Sequence, residues 1–187
     1  MISGIILAGG ESRRMAGEDK GLLLFAGQPL IAHTIARIAP QVDELIINAN
    51  RHSAEYCQFG YPLISDDTPG FLGPLAGMLA GLKASTHEWV LTVACDTPFL
   101  PRDLVKSLQV ATHNADLVVA STTRRHPTVM LCRRSLATNL ASALDQGERK
   151  VQNWQAKQRL AIVTFTDESA FANINTPEQL LNTLPHD

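Results

Sequence analysis

Four stretches of this sequence hold residue types that bind phosphates, metals or nucleosides, and each follows a short apolar run. The first, Leu7-Ala8-Gly9-Gly10, continues as Glu11-Ser12-Arg13-Arg14-Met15-Ala16-Gly17-Glu18-Asp19-Lys20. Paired glycines let backbone N–H groups close on an anion with no Cβ in the way. Arg13, Arg14 and Lys20 add cationic donors suited to phosphate oxygens. The stretch is no Walker A loop, because Gly21 rather than Ser or Thr follows Lys20, and it is no G-x-G-x-x-G fingerprint. A solvated loop with ordinary glycine turns has the same local composition, so this stretch alone decides little.

The second stretch, Cys95-Asp96-Thr97-Pro98, places a carboxylate directly after an apolar run. An Asp there can hold Mg²⁺ through one oxygen while phosphates and waters complete the shell. It can equally cap a helix beginning at Thr97-Pro98. In the third, Asn48-Ala49-Asn50-Arg51, Asn48 is either a turn residue or a hydrogen-bonding ligand group. In the fourth, Ile64-Ser65-Asp66-Asp67, the two carboxylates are turn formers, acceptors for a ribose or base, or both. Cys95 reads as a small buried residue, since nothing near it in sequence would activate a thiolate. His52 and His126 read as loop or surface histidines, and Trp89 and Trp154 as packing residues.

The elements that must carry these stretches alternate. Ile5–Leu7, Leu45–Ile47, Trp89–Val93 and Leu117–Val119 are apolar runs without polar alternation, as expected of strands buried on both faces. Between them Leu30, Ile31, Ile35 and Ile38 follow Pro29, which suits a first helical turn. Leu75, Met78, Leu79 and Leu82 follow Gly73-Pro74 at helical spacing, and Leu104, Val105 and Leu108 follow Pro101. Leu136, Leu140 and Leu144 precede Gly147, a plausible helix stop, and Thr176-Pro177-Glu178-Gln179 combines a capping box with Pro at the first helical position. The stretch 115–132 breaks the alternation: Leu117–Ala120 and Thr128–Leu131 both suit strands, separated by a polar connection. The expectation is an α/β, three-layer, doubly wound Rossmann-like fold with a mostly parallel, mixed sheet. In such sheets ligands bind beyond the carboxyl ends of the strands, where all four stretches would lie together.

Composition bounds the partners. The 187 residues are 45% apolar and 18% charged, with 16 basic and 18 acidic side chains and a net charge of −2. That length suits one domain with a self-sufficient core, residues 1–187, and no repeat or linker divides it. A general nucleic-acid binder needs a dense basic surface to neutralise phosphates, which 16 scattered Lys and Arg do not supply. A polyanionic ligand must instead meet a local cluster or a metal. Cys57, Cys95 and Cys132 are odd in number and widely spaced, so neither a disulfide framework nor a zinc pair is expected. The apolar run at the N-terminus ends at Ala8, too short for a signal peptide or membrane span. A cytoplasmic domain without membrane contact is expected.

Taken in order, the motifs resemble the nucleotidyltransferase family of the molybdenum cofactor guanylyltransferases (MobA-type). The matching residues are Leu7-Ala8-Gly9-Gly10-x-Ser12-x-Arg14-Met15 with Asp19-Lys20-Gly21, then Asn48-Ala49-Asn50-Arg51, Gly73-Pro74-Leu75-Ala76-Gly77 and Cys95-Asp96-Thr97-Pro98. His126-Pro127-Thr128 and Asn173-Ile174-Asn175-Thr176-Pro177-Glu178 complete the set, which spans nearly the whole chain. The resemblance implies transfer of GMP from GTP to Mo-molybdopterin, with release of pyrophosphate and assistance from Mg²⁺. It further implies that Leu7, Ala8 and Gly9 contact the nucleotide, that Lys20 meets its phosphates, and that Arg14 contributes to the phosphate loop. Asn48 and Asp66 would line the guanosine site, Asp96 would ligate Mg²⁺ and touch the nucleotide, and Asn173 and Asn175 would lie towards the pterin. The N-terminal part would then bind GTP and the C-terminal part face molybdopterin, with cofactor-delivery proteins or apo-molybdoenzymes as further partners. One departure is Ala16, where the family often has glycine.

Two other readings share parts of this pattern. A related nucleotidyltransferase would use CTP, or a sugar phosphate as acceptor. A silent carrier would bind nucleotide or pterin and hand it on, but it need not keep Arg14, Lys20 and Asp96 together.

Overall fold

Strand order, rather than any single element, places the site. A computed structural model describes residues 1–8, 19–67 and 73–174. Gly9, Gly10, Arg13, Arg14, Asn175 and the capping box at 176–179 lie outside the described residues. The described elements run β1 (Ile2–Leu7), β2 (Leu24–Phe25), β3 (Gln28–Pro29), α1 (Leu30–Ile38), β4 (Glu44–Asn48), α2 (Ser53–Cys57) and β5 (Leu63–Ile64). They continue as α3 (Pro74–Ala84), β6 (Trp89–Ala94), α4 (Leu104–Gln109), β7 (Leu117–Ser121), β8 (Arg125–Arg133), α5 (Ala137–Asp145), α6 (Val151–Gln155) and β9 (Leu160–Thr164).

Seven strands form one sheet in the order β5-β4-β1-β6-β8-β7-β9. β8 runs antiparallel to both neighbours, β6 and β7, and the other pairings are parallel. The hairpin expected from 115–132 is therefore β7–β8, and the mixed sheet is as expected. From β1 the chain moves to β4 and β5 on one side, then returns past β1 to β6. The connections leaving β1 and β6 thus diverge, and such a switch point opens a crevice at the carboxyl ends of those two strands.

Side-chain alternation divides the core into two faces. Ile2, Ile6, Leu45, Ile47, Leu91 and Val93 point to the face covered by α1 and α4, with Tyr56 of α2 in the same cluster. Ile5, Ile46 and Val90 point to the other face, against Leu75, Met78 and Leu82 of α3 and the buried residues of α5 and α6. Strands covered on both sides have no polar face, and the central runs are apolar but for the buried Ser3 and Thr92, whose hydroxyls donate to Glu44 and to the Thr128 carbonyl. Helix α3 sits close to the sheet because Gly77 and Gly81 share one helical face. A Cβ on Gly81 would lie 2.8 Å from Ile5, and one on Gly77 would lie 3.1 Å from Leu7.

One local detail differs from expectation, and another decides between two readings left open. Pro29 ends β3 in extended conformation (φ −57°, ψ 143°) and α1 begins at Leu30. The Leu30 N–H donates to the Leu23 carbonyl at 2.9 Å, tying the helix start to the β2–β3 hairpin. No helix begins at Thr97-Pro98; α4 starts at Leu104, so Asp96 caps nothing. No helix among the described residues is long and apolar enough to cross a membrane.

Candidate active site

The strand ends at the crevice are held in register beyond the strands themselves. Leu7 pairs with Asn48 on β4 and with Ala94 on β6. Past that level, Ala8 N–H donates to the Asn48 carbonyl at 2.8 Å, and Cys95 N–H donates to the Leu7 carbonyl at 3.1 Å. With neighbouring strands about 4.8 Å apart, Asn48 and the Asp96 junction sit roughly 10 Å apart with Leu7-Ala8 between them.

Asp96 lies at one end of this edge, only 7% exposed. Its Oδ1 accepts a hydrogen bond from Asn173 Nδ2 at 2.9 Å, and its Oδ2 lies 3.6 Å from Lys20 Nζ. Its backbone carbonyl accepts from Ile174 N–H at 3.0 Å. Ile174 packs with Phe25 and Leu30 in a small cluster beside Phe99, which seats the C-terminal segment over the carboxylate. Asn173, expected towards the pterin, thus lies against Asp96. Lys20 is carried by a single 3-10 turn, Lys20–Leu22, capped by Asp19 through Gly21 N–H.

The second group lies at the β4 and β5 ends. Asn48 Nδ2 donates to Asp66 Oδ1 at 3.0 Å and Asn50 Nδ2 to Asp66 Oδ2 at 2.8 Å. Asp66 N–H returns a bond to Asn50 Oδ1 at 2.8 Å. Both carboxylate oxygens are therefore oriented by amides. On the opposite side, Asn48 Oδ1 fills the space above Gly77, where a Cβ would stand 2.3 Å away. Asp67 takes no part, since its carboxylate pairs with Lys83 Nζ at 2.6 Å.

Cys95 is buried, and burial, with the Asp96 and Asp19 carboxylates adding to it, pushes its thiol well above the ordinary range. It is a packing residue whose carbonyl accepts from the Thr34 hydroxyl at 3.0 Å. His126 is buried rather than on a loop surface. It stacks on Phe171 with ring centroids 4.7 Å apart, and its Nε2 lies 2.8 Å from Thr122 Oγ1. Burial and the nearby Arg124 hold its pKa below the ordinary 6.5. The sequence reading brought together Leu7, Ala8, Lys20, Asn48, Asp66, Asp96 and Asn173, and all seven lie along or over this one sheet edge. It gave no specific role to Asn50, Asp19 or Gly77, although each stood inside a recognised motif.

The described residues contain no group of three or more His, Cys, Asp or Glu side chains that could hold a metal. Asp96 is instead a single carboxylate oriented by an amide beside a lysine. That donor set fits a Mg²⁺ ion whose remaining ligands are nucleotide phosphates and water.

Comparison with known proteins identifies the family. A MobA-like NTP transferase domain matches residues 4–160. A molybdenum cofactor guanylyltransferase from Shewanella sp. (strain MR-4) is 49% identical over 182 residues, covering 95% of this chain and 92% of that protein. One from Shewanella putrefaciens is 50% identical, covering 95% and 93%. Among solved structures, molybdopterin-guanine dinucleotide biosynthesis protein A from Archaeoglobus fulgidus superposes with a TM-score of 0.76 at 23% identity, covering 97% and 96% of the two chains. A 4-diphosphocytidyl-2C-methyl-D-erythritol synthase from Anaerococcus prevotii shares the fold, with a TM-score of 0.78 at 16% identity over 97% and 93%. The chain belongs to the MobA-like NTP transferase family, among the molybdenum cofactor guanylyltransferases, and is a nucleotidyltransferase enzyme.

Proposed function

We propose that the chain transfers GMP from GTP to Mo-molybdopterin, with the whole of residues 1–187 acting as one catalytic domain. The observation that carries this reading is the pair Lys20–Asp96, with Asp96 held by Asn173, at the end of β6 and roughly two strand spacings from the Asn48–Asp66 clasp. That span suits a nucleoside triphosphate laid along the sheet edge, nucleoside at Asn48 and Asp66, phosphates towards Lys20 and Asp96. Leu7 and Ala8 would form the floor between them. Gly9 and Arg14 enter on the family resemblance as phosphate-loop residues, and Asn175 joins Asn173 on the pterin side.

In the proposed reaction, a terminal phosphate oxygen of molybdopterin attacks the α-phosphorus in line. The bond to the bridging oxygen breaks and pyrophosphate leaves with its electron pair. The attacking group is already ionised, so no protein nucleophile is needed, consistent with the buried, protonated Cys95. Two anions must be brought together, so positioning and charge neutralisation dominate. Lys20 supplies a cation to the phosphates, and Asp96, aimed by Asn173, supplies an oriented carboxylate. A Mg²⁺ ion shared by Asp96 and the triphosphate would neutralise charge on the phosphates and stabilise the leaving group. The reading places the chain in the cytoplasm, with delivery proteins or apo-molybdoenzymes receiving the product.

The test is pyrophosphate release on mixing the protein with Mo-molybdopterin, Mg²⁺ and each nucleoside triphosphate in turn. Release with GTP alone supports the reading. Selective use of CTP would assign the enzyme to a different donor, and binding without release would make it a carrier.

A further inference from the structure

Tyr56 lies on α2, outside every motif that pointed to the site, and is fully buried. Its hydroxyl donates to Asp19 Oδ1 at 2.6 Å, and the same oxygen accepts Gly21 N–H at 3.1 Å. Asp19 and Gly21 flank Lys20, whose ammonium lies 3.6 Å from Asp96. The fit is tight on the far side as well. A Cβ on Gly21 would stand 2.5 Å from Tyr56 Oη and 3.2 Å from Cys95 Sγ. The hydroxyl is thus lodged between the turn that carries Lys20 and the strand end that carries Asp96.

Packing alone would not call for a tyrosine here. A phenylalanine ring would fill the same space without burying a hydroxyl, which costs stability unless it is hydrogen-bonded. The bond it makes is to a carboxylate, the stronger kind. Burial above all raises the Tyr56 pKa, so the group stays a donor.

We propose that Tyr56 is a positioning residue for the nucleotide site: its hydroxyl fixes Asp19, and through Asp19 the turn that presents Lys20 to the triphosphate. The inference rests on the reading of Lys20 as a phosphate contact. It also gives α2, the connection between β4 and β5, a part in phosphate binding. One helix then ties the Asn50 and Asp66 strand ends to the lysine.

Tyr56→Phe removes only the hydroxyl. Binding of a fluorescent GTP analogue with Mg²⁺ should weaken about tenfold in this variant, as for a lost hydrogen bond to a charged group. In a Lys20→Ala background the same change should cost no more than about twofold, because the lysine it positions is gone. A general packing role would instead weaken binding equally in both backgrounds, and that result, or no loss in either, overturns the proposal. Amide hydrogen exchange on the unliganded protein gives a readout independent of catalysis. In Tyr56→Phe the Gly21 and Leu23 amides should exchange faster while Ile46 and Leu91 in the sheet stay protected; unchanged exchange at Gly21 also overturns it. Should the wild-type chain bind no nucleoside triphosphate, the functional reading fails, and exchange at Gly21 still decides whether Tyr56 sets this turn.

Discussion

Asn173 and Asp96 are 77 residues apart in the chain, yet Asn173 Nδ2 donates to Asp96 Oδ1 at 2.9 Å. The bond is locked from both sides. Ile174 N–H holds the Asp96 carbonyl, and Phe171, two residues before Asn173, stacks on His126 of β8. The C-terminal segment therefore dictates which oxygen of Asp96 is occupied by protein and which faces Lys20.

Replacing Asn173 tests this. Asn173→Ala frees the carboxylate to rotate and should lower kcat/KM for GMP transfer by roughly ten- to a hundredfold, the cost of one hydrogen bond to a charged group. Asn173→Asp should be worse than Ala, because a second carboxylate beside Asp96 repels it and leaves its oxygen without a donor. Both variants should also lower the thermal midpoint by several degrees, Asn173→Asp more than Asn173→Ala, so turnover is compared at a temperature where each is fully folded. Full turnover by Asn173→Asp would show that the orientation of Asp96 does not matter.

How far the site could be read in the sequence depends on which contacts are local. The runs that became β1, β4 and β6 were legible because strands covered on both faces have no polar alternation to confuse. Helices α1, α3, α4 and α5 carried apolar spacing long enough to see. By contrast β5 spans only Leu63–Ile64, and α2 and α6 have five residues each, too short for any period to register. β9, at the sheet edge, is partly exposed and lacks the continuous burial of the central runs. Asp96 was ambiguous between ligand and helix cap because the choice depends on whether a helix starts at Thr97, which neighbouring residues do not determine. The Asn50–Asp66 clasp needed β4 and β5 to be adjacent, and Tyr56 needed one hydroxyl to be placed against a loop 37 residues away.

Gly77 and Gly81 both let α3 approach the sheet, but only one borders the site. A Cβ at position 77 meets Asn48 Oδ1 at 2.3 Å, and one at position 81 meets Ile5 side-chain atoms from 2.8 Å. Overpacking of this kind costs about 1–3 kcal/mol, offset in part by roughly 1 kcal/mol of better helix propensity for Ala. Both Gly77→Ala and Gly81→Ala should therefore lower the thermal midpoint. Gly77→Ala alone should also weaken GTP binding, because Asn48 must leave Asp66. Equal nucleotide affinities for the two variants would remove Asn48 from the nucleotide site.

The three cysteines should separate sharply in a thiol titration of the native protein. Cys57 is exposed, whereas Cys95 and Cys132 are buried. Burial pushes the Cys132 thiol up to about 12 and Cys95 well above its ordinary value. At pH 8 one thiol should react rapidly with an aromatic disulfide reagent, and Cys57→Ser should abolish that phase. The other two should react only on unfolding. A fast second thiol assigned to Cys95 would contradict its role as a packing residue and reopen it as a reactive group.

His126 gives the site an acid limit. Its folded pKa is held below 6.5 by burial first and by Arg124 second, with Glu168 opposing them. The unfolded chain then binds the proton more readily than the folded one, so this group's contribution is fully present above the unfolded value and is lost as pH falls from there through the lower folded value. Stability should accordingly drop between about pH 7 and pH 5.5, the range in which an unperturbed histidine gains its proton. His126→Gln carries no such proton. The stability difference between wild type and variant, measured by thermal denaturation, should therefore be largest near pH 7.5 and shrink towards pH 5.5. Because His126 stacks on Phe171, which leads into Asn173, GMP transfer by wild type should fall only at lower pH, as the depressed pKa of His126 in the folded chain is crossed, with a weaker pH dependence in the variant. A stability difference that stays constant across this range would mean that His126 has the same proton affinity in the folded and unfolded chain.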